Sequence, residues 1–347
     1  MKKNLIVVVL AFIFSPLFSQ VGGKHLYNFL NLPTSARISA LGDNQIAVKD
    51  DDAFLGFINP SLLNSEMDNK MAFTYVNYLA DVTIGFASYT KDYDSLGTFN
   101  FGIQYVDYGN FLETDEAGNE LGNFNAGEYA FVLGYGYQID TNFSFGANLK
   151  TIYSSFYDAS SVGLAADIAF TYFSEHKGLT MALLAKNMGA QLSNYTESQQ
   201  NESLPFEIQF GLTKRFKNVP LRLGIIFHQL QNWNLTYEDP VPQSQQTIFG
   251  SEPDQIKNNN QFLENLARHL IVNAEFLVTK NFNLRFGYNY LRRAELKVDE
   301  NLGSIGFSWG FGMRISKFHL SYGRSAFHQA GANNTFSVST RLSDFIN

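Results

Sequence analysis

The sequence predicts an all-β transmembrane barrel of 14 antiparallel strands, and three observations support this fold class. Segments of roughly ten residues alternate apolar and polar side chains throughout residues 71–342, and a period of two places successive side chains on opposite faces of a strand. Aromatic residues make up 15% of the chain and charged residues only 16%. Beyond the extreme N-terminus, no apolar run approaches the ~20 residues that a spanning helix needs.

The first 19 residues predict a cleaved secretory signal peptide. Lys2 and Lys3 are followed by an apolar core, residues 5–14, that is too short to span a bilayer, and Ser19 offers a small residue for cleavage. The alternative is a membrane anchor, which is disfavoured because the apolar core is too short to span a bilayer. The chain has no cysteine, which excludes lipoprotein processing, disulfides and thiolate metal sites. Its net charge of −7 makes it a poor nucleic-acid binder.

Fourteen strands are predicted from the alternating pattern. They lie near 70–77, 82–90, 97–107, 127–138, 142–154, 161–173, 178–187, 204–215, 219–230, 269–279, 282–291, 303–315, 317–325 and 333–342. Long connections are expected at 108–126, 188–203, 231–268 and 292–302, with short turns between them. Bacterial barrels combine short periplasmic turns, long external loops and an even strand count. The first connection, 78–81, is the exception, because it is short where a long one is expected.

The charged residues agree with this register. The pattern directs these side chains into the lumen: Lys150, Asp167, Lys186, Glu207, Arg222, His228, Glu275, Arg285, Arg314, His319 and Arg341. It directs these toward lipid: Leu149, Ile168, Ile208, Leu223, Phe276, Phe286 and Leu342. A charge facing lipid at the midplane costs about 2–4 kcal/mol, so this segregation favours a barrel over a soluble two-sheet sandwich, which also alternates.

Residues 20–69 are predicted to fold back as a plug in the lumen of the barrel formed by residues 70–347. They precede the first strand and contain no strand-period pattern. A 14-stranded barrel encloses a wider lumen than eight-stranded barrels, whose side chains fill the interior. The wider lumen therefore needs a filler.

No motif in the chain predicts catalysis, a cofactor or a metal. Residues 174–177 match a Ser-x-x-Lys pattern, but they form a polar turn without the helix and partner motifs of that chemistry. The six histidines lack metal-ligand spacing, and His228 and His319 are expected to have structural roles in the lumen. Asp50, Asp51 and Asp52 could bind calcium, although a solvated acidic turn is the favoured interpretation. The chain is therefore predicted not to be an enzyme.

A short helix is predicted at residues 259–268, at the base of the longest external loop. Its apolar face consists of Phe262, Leu263 and Leu266. We expect this face to pack on the barrel mouth, with a partner-docking role as the alternative.

Two motifs in residues 20–69 resemble the plug of FadL-like barrels. In that family an Ala-Arg…Gly segment leads to an Asn-Pro-Ala/Ser turn just before the first strand. Here the corresponding residues are Ala36, Arg37 and Gly42, followed by Asn59 and Pro60. The residue after Gly42 is an aspartate where a small residue is expected. The resemblance implies a 14-stranded barrel with a lumenal plug.

Within this family the opening residues 22–37 resemble the PorQ-like members of the PorV/PorQ branch, which are outer-membrane proteins of the Bacteroidetes type IX secretion system. This resemblance implies a non-enzymatic barrel in the Gram-negative outer membrane. It would hold a PorZ-like surface protein in a complex with PorU- and PorV-like proteins, and that complex attaches secreted cargo to lipopolysaccharide.

The external loops are the expected docking surface, because long loops on a rigid base give an adaptable contact area. The candidate residues in the longest loop are Trp233, Tyr237, Phe249 and Phe262. The alternative function is transport of hydrophobic small molecules, which predicts an apolar pocket at the plug and a lateral gap in the wall. An acyl-modifying barrel enzyme would need a nucleophile–base pair at the mouth, and the sequence shows none.

Overall fold

The computed structural model describes residues 25–78, 82–196, 201–236, 261–296, 303–328 and 331–345. The predicted signal peptide, residues 1–19, lies outside these ranges, as do residues 20–24 and the docking candidates Tyr237 and Phe249.

Within the described residues the chain forms 14 strands that close into one antiparallel barrel. Each strand pairs with its chain neighbours, and the last strand pairs with the first. The strands are β1 Lys70–Asn77, β2 Thr83–Asp92, β3 Thr98–Thr114, β4 Glu120–Gln138, β5 Phe143–Phe156, β6 Ala159–Ser174, β7 Leu179–Ser193, β8 Glu207–Arg215, β9 Leu221–Phe227, β10 Leu270–Phe276, β11 Phe282–Asn289, β12 Phe307–Ile315, β13 Phe318–His328 and β14 Gly331–Arg341. All 14 predicted strands are confirmed. Closure gives each of these 14 described strands two partners, so the described part of the barrel has no unpaired edge facing lipid.

The two ends of the barrel differ. The turn end carries the first residue of β1, the last residue of β14 and the short connections 93–97, 139–142, 175–178, 216–220, 277–281 and 316–317. The opposite, loop end carries two α-helices that connect strands, Gln261–Arg268 and Tyr290–Leu296. Bacterial barrels place short turns in the periplasm, so the turn end is the periplasmic end.

The expectation of a long loop at 108–126 is wrong. Strand β3 has 17 residues and β4 has 19, and they pair up to Thr114 and Glu120. A spanning strand needs only about 9–11 residues, so this hairpin projects beyond the bilayer. Strand β7 similarly extends to Ser193 and replaces the first part of the loop expected at 188–203. In the projecting part of β3 the regular alternation is lost, and the pairing register shifts between Asp107 and Asn110, so the sequence pattern did not indicate a strand there.

The outer surface of the barrel is an apolar belt. Large side chains at alternate strand positions are exposed, among them Phe73, Phe131, Leu149, Ile168, Phe170, Leu183, Leu223, Phe286, Trp309 and Phe336. The charged side chains assigned to the lumen point inward, and Lys150, Asp167, Glu275 and Arg285 are buried there. Among the described residues, no helix is both long and apolar enough to cross a bilayer.

Residues 25–69, here called the lumenal segment, lie inside the barrel. The segment contains helices α1 Ala36–Ala40 and α2 Ala53–Ile58, together with 3-10 turns at Asn28–Asn31, Pro60–Leu62 and Ser65–Met67. In chain order the helices at the loop end are then α3 Gln261–Arg268 and α4 Tyr290–Leu296. Tyr27, Phe29 and Leu30 pack on inward-facing apolar residues near the loop end. Phe54 and Phe57 pack on Phe86 and Val132 deeper in the lumen.

A charge introduced into the outer belt should destabilise the barrel according to its depth. We expect Leu149→Arg, in the middle of β5, to lower the free energy of unfolding by about 2–4 kcal/mol, because it exposes a guanidinium to the bilayer midplane. Urea unfolding in lipid vesicles, followed by heat-modifiable migration on gels, measures this loss. The matched control is Leu121→Arg, which changes an equally outward-facing leucine near the tip of the projecting hairpin. Equal losses for the two variants would contradict the depth assigned to them.

Candidate functional site

The predicted Ala36 motif forms helix α1, which is packed directly on the barrel wall. The Ser35 side chain caps the helix by accepting from the Ile38 amide, and the Ala36 amide donates to Ser337 Oγ over 2.8 Å. A Cβ on Gly323 would lie 2.2 Å from the Ala36 carbonyl oxygen. Small inward-facing residues on β12 and β13 therefore make room for the helix.

Gly42 ends this motif in a conformation that suits glycine. Its φ is +89°, and an added Cβ would lie 2.6 Å from the Ile271 side chain. The Gly42 amide donates to Ser308 Oγ at 2.9 Å. The unexpected Asp43 that follows has a structural use, because its carboxylate accepts from Ser325 Oγ at 2.6 Å and pairs with Arg292.

Asn59 and Pro60 form a capped turn against the opposite wall. Asn59 Oδ1 accepts from the Ser61 amide at 3.0 Å, while its Nδ2 donates to the Ile46 carbonyl at 2.7 Å. Pro60 begins the 3-10 turn, where its fixed φ and missing N–H are tolerated. A Cβ on Gly146 of β5 would lie 2.2 Å from the Pro60 carbonyl carbon, so glycine permits this close contact.

Arg37 lies at the centre of a buried ion-pair network that joins the lumenal segment to the wall. It donates to Glu275 of β10 (Nε to Oε1, 2.8 Å), to Asp50 (2.8 Å) and to Asp52 (3.0 Å). Glu275 also accepts from Arg222 of β9 at 2.6 Å and from Arg285 of β11 at 3.3 Å. The Arg37 side chain is 6% exposed and that of Glu275 is 2% exposed. Three guanidinium groups thus share three carboxylates, which leaves no charge in the network unpaired.

The interpretation of Asp50, Asp51 and Asp52 as a solvated acidic turn is wrong. Asp50 and Asp52 face Arg37, and Asp51 pairs with Lys70 (2.6 Å) and Arg314 (2.9 Å). Burial alone would raise the pKa of Asp50, but its guanidinium partners outweigh that effect and hold the pKa well below its usual range. Among the described residues, no group of three or more His, Asp or Glu side chains is placed to hold a metal ion.

Further along the lumen, β6 and β7 contain a local irregularity. Their register shifts opposite Asp167, where Asn187 adopts a φ of +58° and its amide donates to Asp167 Oδ1 at 2.8 Å. Lys150 also pairs with Asp167, and Lys186 pairs with Glu207, at 2.8 and 2.9 Å. The irregularity is a β-bulge whose freed amide is satisfied by a side chain. The wall between these strands therefore stays hydrogen-bonded.

At the loop end, helix α3 spans Gln261–Arg268 and confirms the predicted helix, but its expected packing is wrong. Phe262 and Leu263 are 63% and 57% exposed, and the helix buries Asn265 instead. The Phe262 ring lies against that of Trp233, with centroids 5.3 Å apart, and Trp233 is itself 48% exposed. The apolar face therefore points outward.

This exposed surface, formed by Trp233, Phe262 and Leu263 and here called the aromatic patch, has a well-fixed base. The buried ring of His269 lies within hydrogen-bond distance of two carbonyl oxygens, those of His228 (2.7 Å) and Trp233 (3.2 Å). Glu264 of α3 accepts from Tyr290 of α4 at 2.7 Å. The patch is thus held by hydrogen bonds to both neighbouring elements.

No protein-family model and no curated protein matches this chain. Solved structures do match. A deltaS2 mutant of the monoaromatic hydrocarbon channel TodX is 12% identical, with 90% of this chain and 99% of that chain covered and a TM-score of 0.53. The fold is that of the FadL-like outer-membrane barrels.

Two further FadL-like neighbours are more distant. The Pseudomonas putida toluene transporter TodX is 11% identical, with 89% and 96% of the two chains covered and a TM-score of 0.47. A Pseudomonas aeruginosa FadL homologue is 10% identical, with 88% and 97% covered and a TM-score of 0.45. The FadL-like fold and the apolar outer belt together support an outer-membrane location.

Removing the central guanidinium should loosen the lumenal segment. We expect Arg37→Met to cost about 3–5 kcal/mol, because it leaves buried carboxylates without their main partner. Planar-bilayer recordings should then show frequent open-channel events, at least about tenfold more than in the unmodified protein. The control is Lys91→Met, which breaks the more exposed pair with Asp68. If Arg37→Met showed no more open-channel events than the unmodified protein, this role for the network would be contradicted.

The same network predicts a defined pH dependence. Because the folded-state pKa of Asp50 is depressed, its contribution to stability is present above the unfolded value of about 4 and is lost as the pH falls toward the folded value. Conductance should therefore stay low and constant between pH 7 and pH 5 and rise only near pH 3. A rise with a midpoint above pH 5 would assign the effect to another group.

Proposed function

We propose that this chain is a closed outer-membrane barrel that holds a protein partner at the cell surface. The observation that carries the proposal is the aromatic patch, since Trp233, Phe262 and Leu263 are all strongly exposed beyond the strand ends. Rigid, exposed aromatic residues are favoured as interface anchors. The hydrogen bonds of His269 and Glu264 limit the entropy that the patch would lose on binding.

The filled lumen supports an anchoring role rather than an open pore. The lumenal segment packs on inward-facing residues near both ends of the barrel, through apolar contacts at Tyr27 and the ion pairs of Arg37. In this proposal the segment is a plug comprising residues 20–69, and the barrel of residues 70–347 serves as a rigid base. The chain has no enzymatic role in this proposal.

The finer identity rests on the resemblance of residues 22–37 to PorQ-like proteins. On that basis the partner is a PorZ-like surface protein, with PorU- and PorV-like proteins in the same type IX secretion complex. Cargo attachment to lipopolysaccharide would take place on the partners. The chain would reach the outer membrane of a Bacteroidetes-like bacterium through a cleaved signal peptide, residues 1–19.

Transport of hydrophobic small molecules is the second candidate function. It is favoured by the fold shared with a protein described as a monoaromatic hydrocarbon channel. It requires an apolar path through the barrel. A cavity that opens at the turn end is lined by Lys49, Arg215 and Arg222 as well as apolar residues, so it is not a purely apolar pocket.

Affinity purification of the barrel from detergent-solubilised outer membranes, followed by mass spectrometry, separates the two candidates. The docking proposal predicts stoichiometric recovery of a large surface protein. A barrel recovered without protein partners, but with bound hydrophobic molecules, would favour transport.

Substitutions in the aromatic patch test whether this surface binds the partner. We expect Trp233→Ala combined with Phe262→Ala to reduce partner recovery at least about tenfold, because buried aromatic anchors dominate interface energies. Leu96→Ala is the control, since Leu96 is 67% exposed at the opposite end of the barrel. Unchanged recovery in the double variant would exclude the patch as the docking surface. Heat-modifiable migration of each variant shows that the barrel has folded.

A further inference from the structure

A cavity of about 570 Å³ opens at the turn end of the barrel, away from the aromatic patch. Its inner wall is formed by inward-facing residues of three neighbouring strands, among them Phe173 of β6, Thr180 of β7 and Thr213 of β8. Val48 and Lys49 of the lumenal segment form the other side. The volume is in the range of small-ligand pockets, which run from about 300 to 1,000 Å³.

Lys49 brings a partly buried cation to this cavity. Its Nζ lies 5.5 Å from the centre of the Phe173 ring, and none of the described carboxylates forms an ion pair with it. Burial lowers the pKa of Lys49, and the Glu66 carboxylate only partly offsets this effect. An ammonium group that is desolvated without an ion-pair partner is destabilising. A bound anion would remove that penalty.

Thr213 supplies a second, independent sign of a missing ligand. Its side chain is only 3% exposed and lines the cavity, yet its hydroxyl has no hydrogen-bond partner among the described residues. Buried hydroxyl groups are normally paired, because leaving one unpaired costs about 1–3 kcal/mol. A ligand oxygen in the cavity would accept this hydrogen bond.

The rim of the cavity is predominantly basic. Arg215 and Lys217 are exposed at the β8–β9 turn. The acidic residue that lines the cavity is Glu175. Arg222 also borders the cavity, but it is already paired with Glu275 and Asp50. Guanidinium and ammonium groups together with a hydroxyl are the donors that phosphate oxygens favour.

Apolar residues complete the lining. Phe216, Val219, Pro220 and Leu277 border the cavity on the side of the turns, and Phe216 and Val219 are exposed. We propose that this cavity binds a phosphate group attached to a small apolar body, with the phosphate between Lys49, Thr213 and Arg215. The ligand enters from the periplasmic side, either as the headgroup of an inner-leaflet phospholipid or as a free phosphate compound.

Binding to the full-length barrel in amphipol tests this proposal with three probes. They are inorganic phosphate, short-chain dihexanoyl phosphatidylglycerol and octanoate, each titrated by isothermal calorimetry. Saturable binding of the phosphatidylglycerol, at least about tenfold tighter than that of octanoate, is expected. Tighter binding of the phospholipid than of phosphate would identify a headgroup site. Equal affinities would identify a site for free phosphate and would overturn the proposed role of the apolar lining. The proposal would be overturned if neither phosphate nor the phosphatidylglycerol showed saturable binding, or if octanoate bound more tightly than both.

Variants separate this site from general charge effects. Lys49→Met should weaken phosphate-probe binding at least about tenfold, in line with the loss of a charge-assisted hydrogen bond, and Lys49→Arg should restore most of it. Lys280→Met is the control, because Lys280 is an exposed lysine in another turn at the same end and does not line this cavity. If Lys49→Met does not fold, the nearly isosteric Thr213→Val should still weaken binding severalfold. Unchanged affinity in the folded Lys49 or Thr213 variant would overturn the proposed site.

Discussion

The buried interaction of Arg37 with Glu275 organises the relation between the lumenal segment and the barrel. A 14-stranded barrel leaves a lumen too wide for its own side chains to fill. Charged side chains that face the lumen must therefore be ion-paired, because little water reaches them there. Arg37 meets this need because one planar guanidinium reaches Glu275 on the wall and both Asp50 and Asp52 within its own segment. Without the lumenal segment, Glu275 on the wall would therefore lose the Arg37 guanidinium, and without the wall Arg37 would lose Glu275.

The remaining contacts of the lumenal segment follow from this attachment. Near the turn end the contacts are ionic, as in the pairing of Asp51 with Lys70 and Arg314. Near the loop end Tyr27 and Phe29 make apolar contacts with the wall, and Asp43 adds an ion pair with Arg292 of α4. Between these ends, the glycines at positions 146 and 323 let the segment approach the strand backbone closely. These contacts fix the lumenal segment to the wall near both ends of the barrel, while a cavity stays open at the turn end.

The features that can be predicted from the sequence are those that a single periodicity controls. All 14 strands and the inward orientation of Lys150, Asp167 and Glu275 follow from the alternation of side chains. Periodicity does not predict a strand where a polar sequence continues beyond the bilayer, as in the projecting hairpin of β3 and β4. Helix α3 was located correctly, but an apolar face alone does not say whether that face is buried or, like Phe262, exposed.

The sequence by itself determined the fold class and which face of each strand points into the lumen. These properties depend on local periodicity, which the bilayer enforces because misplaced charges on the lipid face are costly. Only the tertiary structure decided that Asp50 and Asp52 are the partners of Arg37, and that Lys49 and Thr213 meet at one cavity. Lys49 and Thr213 are far apart in the chain, and closure of the barrel brings them together. Arg37 is only 13 and 15 residues from Asp50 and Asp52, but no periodic pattern specifies which carboxylates it pairs with. No local pattern contains that information.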